Sequence, residues 1–140
     1  MVKKESPKLI FTTGKRKTAV ARAKITQGKG RVLINSTPLE LWGNEALRLW
    51  IKEPLLLAGD LTKLVDIKVN ARSGGMSGQS EAIRMAIARG LVEFFKSKEL
   101  KNKYLEYDRN LLVYDPRRTE PHKPSASKRG ARRHKQRSKR

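Results

Sequence analysis

The clearest pattern in the chain is an alternation of apolar and polar residues. Within Arg16–Thr26 the odd positions from Ala19 to Ile25 are small or apolar, and nearly all the even positions are polar or basic. A period of two predicts a β-strand with one buried face and one basic, exposed face. Arg31–Asn35 and Ile67–Arg72 are also typical of strands, and Gly28–Gly30 predicts a hairpin turn between the first two. The buried alanines would let a helix pack close to the sheet.

Four segments carry helical signals. Thr37–Glu40 has the spacing of a capping box and predicts a short helix. A second helix is expected over Asn44–Lys52, limited by Pro54. A long apolar stripe predicts a central helix over Gly78–Lys96, and a charged helix follows over Ser97–Tyr107. These elements predict an α+β fold, a small mixed β-sheet packed with helices on one face.

Charge divides the chain into two parts. The 140 residues include 33 Lys and Arg against 13 Asp and Glu, a formal net charge of +20. The last 25 residues hold 11 of these bases, one acid and two apolar residues, so they cannot bury a core. We therefore expect a globular domain over residues 1–115 and a long, extended, basic C-terminal tail over residues 116–140. At full stretch that tail reaches at most roughly 80 Å.

Several classes of protein are disfavoured by what the sequence lacks. It has no cysteine, and its two histidines, His122 and His134, both lie in the predicted tail, so we expect no metal site. No apolar run is long enough to span a bilayer and the first residues are charged, so we expect a cytoplasmic protein with no membrane partner. No acid pair or Ser–His arrangement supports catalysis, so we expect neither an enzyme nor a cofactor.

Two segments of the predicted domain have the chemistry of phosphate binding. Lys15-Arg16-Lys17 places three cations at the start of a strand, where they either meet phosphates or form a charged edge that deters aggregation. Arg72–Gln79 joins a strand to the central helix through Gly74 and Gly75, which permit close backbone approach. Neither segment matches a nucleotide-binding motif. A phosphate of RNA and an ordinary tight turn are the two interpretations.

The tail carries basic residues in pairs separated by Gly, Ser, Ala and Pro. Such a thin arm can thread between double-helical segments and neutralise phosphates that a globular surface cannot approach. The alternative is a tail that serves only solubility or localisation.

Three segments together resemble one family. They are Gly14-Lys15-Arg16-Lys17-Thr18-Ala19-Val20-Ala21-Arg22, then Ser77-Gly78-Gln79 with Ala82-Ile83-Arg84 and Ile87-Ala88-Arg89, then Arg132-Arg133 with Gln136-Arg137-Ser138-Lys139-Arg140. The combination resembles the universal small-subunit ribosomal protein S-nine family. The sequence of Tyr107–Arg118 is more similar to the archaeal and eukaryotic members of that family than to the bacterial ones. With the rest of the chain, it favours the archaeal members. Ser73 stands where members often have a third glycine, and Arg137 where many bacterial members have an aromatic residue.

The resemblance implies a structural protein of the small subunit's head. Its domain would bind the 3′ major domain of the small-subunit ribosomal RNA beside neighbouring head proteins, and its arm would reach the decoding side. The candidate ribosomal-RNA-binding residues are Lys15, Arg16, Lys17, Arg22, Arg72, Gly74, Gly75, Arg84, Arg117, Arg118, Lys123, Lys128, Arg129, Arg132, Arg133, Lys135, Gln136 and Arg137. The residues implied to contact the P-site tRNA are Ser138, Lys139 and Arg140.

Two other classes of function remain open. A non-ribosomal nucleic-acid-packaging protein would bind any duplex with an affinity set by charge and salt. An RNA-processing enzyme would require turnover, and no constellation of residues supports it.

Overall fold

One mixed sheet and three helices make up the part of the chain that the computed structural model describes, residues 9–124. The strands are β1 (Leu9–Arg16), β2 (Ala19–Gln27), β3 (Val32–Ile34), β4 (Thr37–Pro38) and β5 (Val65–Arg72), in the spatial order β1-β2-β5-β3-β4. The helices are α1 (Glu45–Ala58), α2 (Met76–Phe95) and α3 (Lys98–Tyr107), and single 3-10 segments cover Leu39–Leu41, Gly59–Leu64 and Arg109–Leu111. β3 pairs with β5 in parallel and the other pairs are antiparallel. The α+β prediction is confirmed.

Helix α2 packs against one face of the sheet at very short range. The alternating positions Ala19, Ala21 and Ala23 of β2 are fully buried beneath it, as their spacing predicts. At Gly14 of β1, an added Cβ would lie 2.0 Å from the Ala82 carbonyl oxygen of α2. Small residues on the strands therefore set the separation between helix and sheet. The apolar stripe of α2 fills the space between them.

The predicted hairpin at Gly28–Gly30 is wrong. β5 lies between β2 and β3, so the first two predicted strands are not neighbours. The connection instead runs along the start of β5: the Gly28 N–H donates to the Leu64 carbonyl at 3.0 Å and the Gly30 N–H to the Val65 carbonyl at 3.0 Å. Glycines permit this path as readily as a two-residue turn, and their sequence cannot distinguish the two.

The predicted end of the second helix is also wrong. The helix begins next to Asn44, as predicted, and the Asn44 side chain accepts the Leu47 N–H at 3.0 Å, but the helix continues past Pro54 to Ala58. Pro54 is buried, and its carbonyl accepts a hydrogen bond of 2.7 Å from the Tyr104 hydroxyl of α3. Tertiary packing thus offsets the backbone bond that proline removes. Similarly, Thr37–Pro38 forms a short strand, and the predicted first helix shrinks to the 3-10 turn after it.

Candidate nucleic-acid interface

The two predicted phosphate-binding segments meet at one end of the sheet. The turn Lys17–Thr18 between β1 and β2 lines a depression with Gly74 and Gly75, which lead into α2, and with Glu81, whose carboxylate pairs with Arg16. Gly75 is the N-cap of α2, and no side chain caps the helix there. The first N–H groups of α2 therefore lack a side-chain acceptor, the usual setting for an anion. We call Lys17, Thr18, Gly74 and Gly75 the glycine-turn site.

Close packing and backbone conformation both require a glycine in this turn. Gly74 has a φ of +69°, and a Cβ there would lie 3.0 Å from the Ala19 Cβ and 3.1 Å from the Ala19 nitrogen. Ser73 has a φ of +64°, a left-handed conformation that glycine adopts more easily than other residues. The serine that departs from the family pattern therefore still holds a conformation that suits glycine.

The sheet face that α2 leaves uncovered, here called the open face, is strongly cationic. Its basic side chains are exposed and form no ion pair within residues 9–124; they are Lys15, Arg22, Lys24, Lys68 and Arg72. The one acid among the described strand residues on this face is Asp66. Its carboxylate accepts the N–H groups of Lys29 at 2.9 Å and Arg31 at 3.0 Å, and these bonds lower its pKa.

Arginines of a different kind hold the segment that precedes the predicted tail, residues 108–117, here called the tail root. Arg16 points to the covered side of the sheet, where its guanidinium pairs with Glu81 of α2 and lies 2.9 Å from Asp115. Arg117 donates to both carboxylate oxygens of Asp115. These bonds from Arg117, helped by the charge of Arg16, lower the pKa of Asp115 to about 2. The start of the predicted tail is therefore fixed against β1 and α2.

Helix α2 supplies two further arginines to the tail root. Arg84 pairs with Glu53 of α1 and donates to Asp108 at 3.0 Å. Arg89 donates its Nε–H to the Leu112 carbonyl at 2.8 Å. Only 15% of the Arg84 side chain is exposed, as for Arg16. These guanidinium groups are engaged inside the domain.

The predicted RNA-binding residues thus fall into three groups. Exposed positions are Lys15, Lys17, Arg22, Arg72, Gly74, Gly75, Arg117, Arg118 and Lys123. Internal ion pairs occupy Arg16 and Arg84. Residues outside the described part of the chain are Lys128, Arg129, Arg132, Arg133, Lys135, Gln136, Arg137, Ser138, Lys139 and Arg140, together with most of the predicted tail. Residues 116–124 contain no helix or strand and are exposed, and Lys123 donates a hydrogen bond to the nearby Glu120 carboxylate. For every one of these residues, RNA contact stays a prediction.

The candidate RNA-binding residues chosen from the sequence omit two cations of the open face, although a signal for them was present. Lys24 and Lys68 lie on the same alternating positions as Arg22 and Arg72. Alternation alone places all four on one surface once β2 and β5 are paired. The missing information was that these two strands are neighbours.

Within residues 9–124, no helix is long and apolar enough to cross a membrane, and no cluster of acidic or histidine side chains is suited to a metal ion.

Comparisons with known proteins place the chain in one family. The sequence model of the family described as Ribosomal protein S9/S16 matches residues 14–140. A small ribosomal subunit protein uS9 from Pyrobaculum aerophilum is 56% identical over 123 residues, covering 88% of this chain and 87% of that protein. Its namesake from Desulfurococcus amylolyticus is 56% identical over 116 residues, 83% of each chain. The Methanococcus vannielii protein is 45% identical over 131 residues, 94% of this chain and 98% of that protein.

These matches cover nearly all of the sequence and confirm both the predicted family and its archaeal leaning. The family consists of structural proteins, so the prediction of no enzymatic activity is confirmed as well. The chain belongs to the ribosomal protein S9/S16 family and is a structural constituent of the small subunit of the cytoplasmic ribosome.

Proposed function

We propose that the chain binds the small-subunit ribosomal RNA in the head of the subunit, within the 3′ major domain, and that its C-terminal arm contacts the P-site tRNA. The observation that carries this proposal is the separation of the cations into two sets. One set, formed by Lys17 and the basic residues of the open face, is exposed and has no carboxylate partner within residues 9–124, whereas the other holds the tail root in place. The chain's other proposed partners are the neighbouring proteins of the subunit head.

The glycine-turn site suits a phosphate of folded RNA. Its uncapped helix N-terminus offers N–H donors, and the glycines leave room for a phosphate to approach the backbone. The exposed side chain of Lys17 lies beside these glycines. Contacts of this kind fix the position of a protein on RNA without reading bases. The domain would therefore dock by shape and charge.

The fixed tail root would direct the C-terminal residues as an arm. Arg16 and Arg84 then serve RNA binding indirectly, because they set the point from which residues 116–140 leave the domain. The arm residues proposed to meet ribosomal RNA are Arg117, Arg118, Lys123, Lys128, Arg129, Arg132, Arg133, Lys135, Gln136 and Arg137. A hydroxyl and two cations at the chain end, Ser138, Lys139 and Arg140, suit the phosphates of a tRNA.

The first test is sedimentation of the tagged, full-length protein from its native host through a sucrose gradient. The salt concentration is high enough to release basic proteins that are only loosely bound to the RNA. We expect the protein to migrate with small subunits in a near one-to-one amount. Release to the top of the gradient, or spread over all nucleic acid, would contradict specific ribosomal-RNA binding and favour a packaging protein.

The tRNA contact is tested by a variant that ends at Arg137. We expect it to enter small subunits normally but to release P-site tRNA several-fold faster, because two phosphate-binding cations are lost. The matched control is Lys101→Gln/Lys103→Gln on α3, which removes the same charge from the domain. Equal release rates for the truncated, control and wild-type subunits would refute the contact.

A further inference from the structure

We propose that the open face of the sheet is a second RNA-binding surface, distinct from the glycine-turn site, which takes an unpaired stretch of ribosomal RNA. Its cations would hold phosphates, and Phe11 would stack a base. This inference rests on the proposed binding of ribosomal RNA and specifies a surface for it. Lys24, Lys68 and Phe11 belong to none of the motifs that identify the family in the sequence.

The arrangement of charge on the open face calls for an anion. Lys24 and Lys68 are direct partners in the register of β2 and β5. Like charges at such cross-strand positions destabilise a sheet. Arg22 and Arg72 lie on the same two strands, both towards the same end of the sheet from this pair, and none of the four has a carboxylate partner within residues 9–124. A polyanion laid across the face would remove this repulsion.

An exposed aromatic ring stands at the edge of the same row. Phe11 on β1 is the register partner of Lys24, and its side chain is 68% exposed. The Lys24 ammonium lies 6.0 Å from the ring centroid. A ring beside cations on an open sheet is suited to stacking an unpaired base while the cations meet phosphates. A regular RNA duplex, whose bases are stacked internally, would leave the ring unused.

The same features disfavour a protein on this face. A second copy of the chain would oppose like charges, and the buried centres of protein interfaces are depleted in charged residues. Five cations and one already satisfied acid suit RNA better.

The test is equilibrium binding of the full-length protein to purified small-subunit RNA over a range of salt concentrations. For Lys24→Gln/Lys68→Gln, the slope of log affinity against log salt is expected to fall by about 1.4, the single-strand value for two phosphates. The control Lys101→Gln/Lys103→Gln should retain the wild-type slope. Phe11→Ala should weaken binding about tenfold, and Phe11→Tyr should restore it. All substituted side chains are exposed, so melting curves should show that each variant folds.

The outcomes separate this inference from the proposed function. If wild-type protein selects small-subunit RNA and the open-face variants bind as wild type does, the open face is not an RNA surface. If those variants bind the RNA normally but fail to enter subunits, the face meets a protein and the inference is wrong. If wild-type protein shows no selectivity for small-subunit RNA over unrelated RNA, the proposed function itself fails.

Discussion

The two faces of the sheet share the same strands but carry opposite kinds of side chain, small and buried on one face, long and charged on the other. On the covered face, Ala19, Ala21 and Ala23 are completely buried, and Gly14 leaves no room for a side chain beneath α2. On the open face, Arg22 and Lys24 of the same strand carry long cationic side chains directed away from the core. A period of two thus lets one strand contribute at once to a tightly packed core and to a charged surface. Stability and partner binding can therefore be altered separately.

The cations show the same division. Arg16 and Arg84 lie among carboxylates, and each ties three parts of the domain together. Lys24 and Lys68 have no such partner in the described residues and repel each other across two strands. Residue type alone therefore does not indicate whether a cation of this chain stabilises the domain or is free to bind a partner. That depends on whether its side chain lies on the side of the sheet covered by α2 or on the open face.

The largest expected effect is on the covered face. Gly14→Ala places a methyl group 2.0 Å from the Ala82 carbonyl oxygen and 2.7 Å from the Ala86 nitrogen, and both are backbone atoms of α2. Because the helix must move, the free energy of unfolding should fall by about 3 kcal/mol or more, measured by denaturant titration. The control is Gly75→Ala, where an added Cβ meets nothing within 4 Å. Equal losses for the two variants would contradict close packing at Gly14.

A smaller loss is expected where a guanidinium is removed from the tail root. Arg84→Gln leaves Glu53 and Asp108 without their cation, and all three side chains are largely buried. We expect the free energy of unfolding to fall by about 2 kcal/mol. Lys68→Gln, which removes the same charge from the open face, should change it by less than about 0.5 kcal/mol. Similar losses from both would mean that the two kinds of cation do not differ.

Acid should loosen the tail root in a defined range of pH. Because Asp115 has a folded-state pKa of about 2 against an ordinary 3.8, its contribution to stability is complete above about pH 4 and disappears as the pH falls towards 2. Wild-type protein should therefore be more stable than Asp115→Asn at pH 5, and the difference should shrink between pH 4 and pH 2. Unfolding curves over this range provide the measurement. A difference independent of pH would contradict the ion pairs of Asp115.

The smallest effect has the opposite sign. Lys24→Gln/Lys68→Gln should raise the free energy of unfolding by a few tenths of a kcal/mol at low salt, because it removes a repulsive cross-strand pair. The gain should disappear in about 1 M salt, where charges are screened over roughly 3 Å. A loss of stability at low salt would show that the open face does not destabilise the free protein.

Local pattern was sufficient to predict the two faces of β2, where α1 and α3 begin and the central position of α2. It was insufficient for strand order, because Gly28–Gly30 suits a hairpin as well as the observed path along β5. It also failed at Pro54, where buried packing and a bond from Tyr104 extend the helix. The partners of Arg16 and Arg84 lie 24 to 99 positions away in the sequence and become visible only in three dimensions.

The most direct test of the division between the two faces is lysine reactivity in the complex with purified small-subunit RNA. Acetylation of the full-length protein, free and bound, would be followed by mass spectrometry, with the α3 residues Lys98, Lys101 and Lys103 as internal controls. We predict strong protection of Lys24 and Lys68 on binding, while the α3 lysines keep most of their free-state reactivity. Unchanged reactivity at Lys24 and Lys68, with protection confined to Lys17 of the glycine-turn site, would contradict RNA binding by the open face.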